Sequence, residues 1–562
     1  MDDLVSARFV RCQSTKNAGK VKRFGERLRR VRGVGKGFKA LKILLVSVES
    51  PLLSVGLTYI SAVLKEAGHQ VHIYIYNDHE KFVEKLQEDF DFVATGGLSL
   101  QYKEIKRIVE AAKKAGRRTI LGGGIVTSEP ELICSALRPD YAVIGEGEET
   151  TVELMVCLSN GGNLSAVNGI AYFDNGQLVF TQTREQSNNL DQLPRPDYES
   201  FGYEKWLDNT KSTDLYDVVD FPREYPIITS RSCPMACTFC YHPLGEKYRK
   251  RSVNSIIQEL GYVIPKYRIN VVNIYDELFS DDPERVIEFC KQFRKLVANV
   301  PWEVKWTCQM RVSRLKDAML DEMRDAGCYM VSYGFESYSP VVLNSMKKRI
   351  KPEEIHHAIH ATLDRKISIQ ANFIFGDVAE TLETAKETLA FWKEHKEAGI
   401  LLNFIRAYPN SAIYQHCIRK GLIKDRLDFI ENHMFGLMNM TEMSDDDFLR
   451  LRYLVSKYTR RYTTHAIPLK RTADSLTIRC PHCKNVVEYR NFVVGGTRID
   501  KIMHCKICRK RFVAINRSHH LFTRLKGMMR SFHGYKMGMK FRQQRRNLKA
   551  RIKGMLGRTK VT

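Results

Sequence analysis

Short apolar runs alternate with amphipathic stretches along most of this chain, beginning at Leu41. Residues 42–48 form an apolar run too short for a typical helix and suited to a buried strand. Residues 56–67 repeat apolar positions at helical spacing and stop at Gly68. Residues 71–76, 92–95, 119–121 and 141–144 read as further strands. Strand, helix and strand repeated in this way predict an α/β domain with a doubly wound, Rossmann-like parallel sheet. Ligands of such sheets bind at the carboxyl ends of the strands. Those ends carry Gly96 and Gly97, then Gly122, Gly123 and Gly124, then Gly145, Glu146, Gly147 and Glu148. Glycine there lets a bulky ligand approach the backbone closely.

A stretch rich in proline and acids at 193–197 precedes a second alternating run. Its predicted strands are 226–229, 270–275, 303–308, 329–335, 367–375 and 403–408, with helices between them. Barrel-type α/β domains carry their chemistry on loops at the strand carboxyl ends.

Cys233, Cys237 and Cys240 follow the first of these strands in a C-x3-C-x2-C run. Three thiolates on one tight loop suit three irons of a cubane iron–sulfur cluster. No fourth Cys follows at ligand spacing, so one iron would stay open. A zinc site or unrelated buried thiols are the alternatives for the cysteines alone.

The Cys run, with Phe239 before its last Cys, resembles the radical S-adenosylmethionine (SAM) superfamily. That resemblance implies a partial (β/α)6 barrel, a 4Fe-4S cluster and SAM chelating the open iron. Asp276 and Glu277, after the second barrel strand, resemble the position that holds the SAM amino group. Arg311 lies where it could face the SAM carboxylate or a substrate. The stretch 334–337 is similar to the family's Gly-x-Glu-Ser, which implies that Glu336 and Ser337 reach SAM. The stretch at Gly376 is similar to the family's Gly-x-Pro-x-Glu-Thr, with Val378 in place of the Pro. Residues 41–195 resemble the cobalamin-binding domain fused to many radical SAM enzymes, the class that includes methyltransferases and cyclases. The resemblance rests on the glycines of 122–124 and 145–147 with Glu146. The signature Asp-x-His-x-x-Gly is missing: residues 47–56 hold no His. Cobalamin is therefore expected base-off, without a His ligand.

Cys480 and Cys483 pair with Cys505 and Cys508 as C-x2-C…C-x2-C, with 495–496 a glycine pair between them. This predicts two knuckles joined by a hairpin, a zinc ribbon holding structural Zn2+. Rubredoxin-like iron is the competing metal. His482 and His504 are expected beside the metal or exposed, not as ligands. Of the 14 cysteines, Cys12, Cys134, Cys157, Cys290, Cys308, Cys328 and Cys417 fit no ligand pattern. They are expected to be reduced structural thiols. Cysteines at ligand spacing, not spread as a disulfide framework, point to a reducing compartment, the cytoplasm. No secretory segment and no bilayer-spanning apolar run is evident.

Charge collects at the ends. Residues 1–42 hold 13 Lys and Arg against 3 acids, and residues 509–562 hold 17 and no acid, in a chain of net charge +25. The body between is near neutral. Such ends meet the phosphates of nucleic acid or of an anionic membrane surface. Leu521, Leu525, Met528, Met529 and Phe532 share one face of a predicted basic amphipathic helix. An ordinary helix packed on the body, or disorder, is the alternative.

The expected order is a basic segment (1–40), a cobalamin-binding domain (41–195) and a linker (196–222). A radical SAM barrel (223–425), a helical extension (426–473), a zinc-ribbon-like module (474–514) and a basic tail (515–562) follow. The function implied is cleavage of SAM to a 5′-deoxyadenosyl radical and, with cobalamin, methylation of an unactivated carbon. The substrate would be a small molecule or lipid, and the electron donor of flavodoxin or ferredoxin type. The rival readings are modification of a nucleic acid and oxidative cyclisation without methyl transfer.

Overall fold

Lys42–Val48 (β1) is an interior strand of the first sheet, with a neighbour on each side, and its successive side chains face opposite layers. Leu44 and Val46 pack with Ile108 and Ala112, while Ile43 and Leu45 pack with Val63 and Leu64. The first pair of partners lies on the helix Tyr102–Lys114 (α2) and the second on Val55–Glu66 (α1). A strand covered on both faces is apolar throughout, the feature by which it was recognisable. The computed structural model describes residues 39–51, 53–208, 217–490, 500–516 and 535–536. Beside β1 stand β2 (Gln70–Tyr76), β3 (Phe92–Gly96), β4 (Arg118–Gly122) and β5 (Tyr141–Val143), all parallel, in the order β2-β1-β3-β4-β5. The helix Gly147–Ser159 (α3) follows β5.

The sheet is mixed, not wholly parallel as expected. β6 (Ile170–Asp174) and β7 (Gln177–Phe180) continue it antiparallel beyond β5. Asn175 and Gly176 join them at φ 47° and 82°. These are the left-handed values that a two-residue hairpin loop requires.

The second unit has six parallel strands. They are β8 (Glu224–Ile227), β9 (Val271–Ile274), β10 (Lys305–Met310), β11 (Cys328–Glu336), β12 (Ser368–Phe375) and β13 (Leu401–Phe404), each beside its neighbour in the chain. The helices Val253–Tyr267 (α4), Pro283–Val297 (α5), Asp317–Asp325 (α6), Pro352–Asp364 (α7) and Leu382–Glu394 (α8) alternate with them. Trp306 is fully buried, packs edge-on to Phe289 and Phe279, and donates its indole N–H to the Ala326 carbonyl at 2.9 Å. The last strand stops short of the expected residue 408. Its ladder closes where Phe375 pairs with Phe404, and β12 turns away at Gly376, whose φ is 97°.

Two tyrosines after the proline-rich stretch are part of the barrel core. Tyr198 and Tyr203 are buried, and their hydroxyls donate to the carbonyls of Pro226 (2.9 Å) and Glu224 (2.6 Å). At the other end, Asp445–Tyr462 (α9) buries Phe448, Leu451 and Val455 in the same core as Leu389 and Trp392 of α8.

The cysteine-rich module departs from the expected hairpin. β14 (Ser475–Arg479) pairs with β15 (Val486–Arg490), and β16 (Asp500–His504) pairs with β17 (Arg511–Ile515), both antiparallel. β15 and β16, predicted to pair with each other, therefore belong to separate hairpins. Each knuckle reverses the chain locally: Lys484 N–H donates to the Cys480 carbonyl and Arg509 N–H to the Cys505 carbonyl, at φ 66° and 63°. The glycine pair 495–496 lies outside the described residues.

Among the described residues no helix is long and apolar enough to cross a membrane. The basic N-terminal segment and almost all of the tail lie outside them. Tyr535 and Lys536 are the exception. Tyr535 lies against Tyr453 of α9, and Lys536 pairs with Asp446.

At the turn after β12, Glu380 accepts hydrogen bonds from Gly376 N–H (3.3 Å) and Thr384 Oγ1 (2.8 Å). Burial pushes its carboxyl up to about 7 from an ordinary 4.5. The folded chain thus holds a proton that the unfolded chain releases near 4.5. The associated stability is full below that value and is lost as pH rises through about 7. Relative to Glu380→Gln, the wild type should lose roughly 3 kcal/mol across this window. Denaturation midpoints measured across it check this; parallel profiles for the two proteins would refute it.

Candidate active site

β8 leads into the cysteine loop, and a buried carboxylate anchors that junction. Asp276, after β9, accepts from Thr229 N–H (2.6 Å) and Ser230 Oγ (2.7 Å), and Thr229 Oγ1 donates to it as well. Burial raises its carboxyl above the ordinary range, with these hydrogen bonds acting against the rise. Asp276 is 1 % exposed. Its oxygens are engaged by the loop and it does not line the cavity that the loop borders, whereas Glu277, expected beside it at the SAM amino group, does.

Cys233, Cys237 and Cys240 share one cavity of about 600 Å3 with Phe239, His242, Glu277, Arg311 and Glu336. The loop is held at its middle. Thr238 N–H donates to the Met346 carbonyl (3.0 Å), and Ile413 N–H donates to the Thr238 carbonyl (2.9 Å). Burial raises all three thiols, Cys240 to about 12. Unligated, they would stay protonated at neutral pH; a bound metal is what deprotonates such thiols.

The remaining walls are polar and incompletely satisfied. Both ring nitrogens of His242 are buried without a hydrogen bond, although Nδ1 lies 3.5 Å from Glu277. Glu277 holds His242 above its ordinary pKa. The guanidinium of Arg311 donates to the carbonyls of Lys348 (2.7 Å) and Arg349 (2.5 Å), while its Nε has no partner. Glu336 stands at φ 63°, where the register of β11 against β12 shifts. The irregularity turns its carboxylate onto Lys348 at 2.8 Å. Gly334 leaves room for this pair: a Cβ there would lie 2.2 Å from the Glu336 carboxylate and 2.7 Å from Lys348 Nζ, so a larger residue would displace both. Burial lowers the Lys348 ammonium, but Glu336 and Cys237 carry it above the ordinary value.

Ser337 and Gly376 do not line the cavity. Ser337 is buried, with its hydroxyl 3.1 Å from that of Thr388. Gly376 faces Phe448 and Phe404. Lys348, His242, Gln309, Ser332 and Asn372 do line it and were not singled out from the sequence. Gln309, Ser332 and Asn372 are polar residues near the ends of three neighbouring, otherwise largely apolar strands, and that pattern is the signal that could have found them.

The first sheet closes the far wall. Leu98, Ser99 and Gly124 face the cavity, and Tyr241 donates its hydroxyl hydrogen to the Gly124 carbonyl at 3.2 Å. Four of the other glycines serve backbone packing. A Cβ on Gly96 would stand 2.8 Å from the Gly122 oxygen, and one on Gly123 would stand 2.8 Å from Gly97 N. Gly147 abuts Ile60, whereas Gly145, at φ 78°, has open space beside it.

Glu146, expected among the cobalamin-binding residues, is engaged by two arginines and does not line the cysteine cavity. Its carboxylate pairs with Arg231 (3.0 Å) and Arg249 (2.8 Å), and Glu148 pairs with Arg231. Arg231 precedes the cysteine loop, and Arg249 follows it on the strand paired to 230–231. Two acids of the first sheet thus grip both ends of the loop from the second. Burial raises the Glu148 carboxyl, but Arg231 more than reverses this.

In the cysteine-rich module, Sγ of Cys480 lies 3.7 Å from Cys508 and that of Cys483 lies 3.7 Å from Cys505. A tetrahedron with metal–sulfur bonds of about 2.3 Å has edges of about 3.8 Å, so the four thiols are spaced for one ion. His482 and His504 point elsewhere. His482 Nε2 lies 2.9 Å from the Arg511 carbonyl. Buried His504 faces Asp217 and the Ile369 carbonyl of β12.

Residues 41–155 match the B12 binding domain family, and residues 227–391 match the radical SAM superfamily. Over 409 residues the chain is 28% identical to an uncharacterized methyltransferase of Pyrococcus horikoshii, covering 68% of this chain and 85% of that protein. It is 27% identical to the anaerobic magnesium-protoporphyrin IX monomethyl ester cyclase of Cereibacter sphaeroides, over 59% of this chain. The chain spans about half the length of that cyclase, 54%. Its fold matches the radical S-adenosylmethionine methyltransferase TsrM of Kitasatospora setae, solved with cobalamin and a [4Fe-4S] cluster bound. The TM-score is 0.56 and the identity 16%, over 67% of this chain and 76% of that one.

Arg231→Met strips Glu148 of the guanidinium bonded to it. Breaking a buried pair from one side costs about 3–5 kcal/mol, more than removing both charges. The variant should lower the denaturation midpoint, and adding Glu148→Gln should recover much of the loss. An Arg231→Met protein as stable as the wild type would contradict this role.

Proposed function

The chain is a radical SAM protein that carries a B12-binding domain, and on that footing we propose that it cleaves SAM and, with cobalamin, methylates an unactivated carbon of a small molecule. The observation that carries this reading is the single cavity onto which the three loop cysteines and the tips of the glycine-rich sheet both open. The donor set fits the groups. Cys233, Cys237 and Cys240 would hold three irons of a 4Fe-4S cluster and leave the fourth to SAM. The unpartnered polar atoms of His242 and Arg311, with Glu277 beside them, suit an amino-acid moiety bearing both charges. Gly124 on the cavity wall and the open space beside Gly145 would allow a large flat ring close to the backbone, and no His stands at the end of β1 to ligate it.

Bound together, these groups supply electron transfer to SAM, hydrogen abstraction from carbon and a methyl carrier. The chain's part is to place and shield them. Asp276 fixes the start of the cysteine loop, while Arg231 and Arg249 fix both its ends against the first sheet. The Glu336–Lys348 pair sets a neutral, hydrogen-bonding wall beside Cys237. Tyr241 closes the seam between the two sheets on the cavity side.

The likeness to a cyclase supports a second reading, ring closure without methyl transfer. We also infer that Cys480, Cys483, Cys505 and Cys508 hold one structural Zn2+. The electron donor would be of flavodoxin or ferredoxin type, and the basic ends would contact phosphate-bearing surfaces.

Protein reconstituted anaerobically with iron, sulfide and cobalamin should form 5′-deoxyadenosine from SAM and retain cobalt. Changing Cys233, Cys237 and Cys240 together to Ala should abolish 5′-deoxyadenosine and lower bound iron by about four per chain. Undiminished turnover in that variant would overturn the proposal. Product mass then separates methylation from ring closure.

A further inference from the structure

Three histidines converge on the helical layer outside the barrel, away from the cavity. His356 and His360 stand one turn apart on α7, so they share a face. His395 caps the C-terminus of the neighbouring α8. The ring centroids are 4.4 Å apart for His356 and His360, 5.2 Å for His356 and His395, and 5.5 Å for His360 and His395. One nitrogen from each ring lies within 4.8 Å of the other two. Phe391 floors the group, its ring 4.3 Å from that of His395.

A second observation singles out His395. It is buried, and its Nδ1 lies 3.8 Å from Glu397. A carboxylate beside a ring nitrogen orients metal-bound histidines, and Glu397 stands within ion-pair reach of His395 to take that part. His357, next in the chain, turns the other way onto Asp317 at 3.0 Å.

We propose that His356, His360 and His395 form a three-imidazole site for a borderline divalent transition metal ion, Zn2+ first among them. Imidazole suits zinc, copper, nickel and cobalt, whereas magnesium and calcium prefer oxygen. The donor set differs from the four thiolates of the ribbon, and its outer side is open to water, because His356 and His360 are exposed. Three protein ligands with an open position make an exchangeable site. The ion would clamp α7 to α8 over β12. It would also lie near the cysteine-rich module, where Arg511 donates to the Gly399 carbonyl at 2.5 Å, just beyond Glu397.

The test is equilibrium dialysis of the full-length protein, with cluster and ribbon metal in place, against buffered Zn2+. Metal analysis reads zinc per chain. The wild type should hold one equivalent more than His356→Gln/His360→Gln. Glu397→Gln should keep the equivalent but bind it about 10–100-fold more weakly. His357→Gln is the control and should match the wild type. Equal zinc in the wild type and the double variant would overturn the proposal. So would an equal loss in His357→Gln, which would mean that zinc collects on any exposed histidine of this helix.

Discussion

Arg231 belongs to the barrel, two residues before Cys233, and its guanidinium is buried against Glu146 and Glu148 of the neighbouring sheet. Arg249 repeats the contact from the far side of the loop. Charges taken out of water are costly unless paired and fully hydrogen-bonded, so this cluster tolerates little displacement of one sheet relative to the other. The cavity lies where the two sheets meet, and its dimensions follow from that fixed approach. A buried apolar seam would have supplied similar adhesion with less directional demand.

Buried polar groups around the cysteine loop divide into two sets. Asp276 and Ser337 have their hydrogen bonds completed by neighbouring backbone and hydroxyls, and they hold the frame. His242 and the Nε of Arg311 are buried and incomplete. An unsatisfied buried polar atom carries a free-energy penalty that a bound polar ligand removes, so the second set marks where the proposed SAM would lie. The strained φ of Glu336 belongs with it, because a backbone held off its ordinary minima needs a surrounding structure that over-determines it.

Local pattern was sufficient for the strands of both sheets. The innermost strands, such as 43–46 and 271–274, are buried on both faces and are largely apolar, whereas edge strands such as β2 are recognised by their β-prone residues instead. It was insufficient where an element depends on what it meets. The added hairpin β6–β7 is carried by Asn175 and Gly176, a turn signal outside the repeating pattern. The exchange of partners in the cysteine-rich module depends on how each knuckle folds back. Glu146 stood in a glycine-rich ligand signature, yet its carboxylate answers to two arginines some 85 and 103 positions away in the chain.

The sequence by itself determined the order of the α/β units, the clustering of three and of four cysteines, and the chemistry those thiols suit. These are properties of short stretches: periodicity, spacing and residue type. Only the tertiary structure decided which carboxylates stay free. Asp276 and Glu277 are adjacent in the chain, but one is enclosed by a backbone N–H and two hydroxyls and the other faces the cavity. It likewise brought His395 to His356 and His360 from another helix. Burial and partner geometry are set by segments far apart in the chain, and no local pattern encodes them.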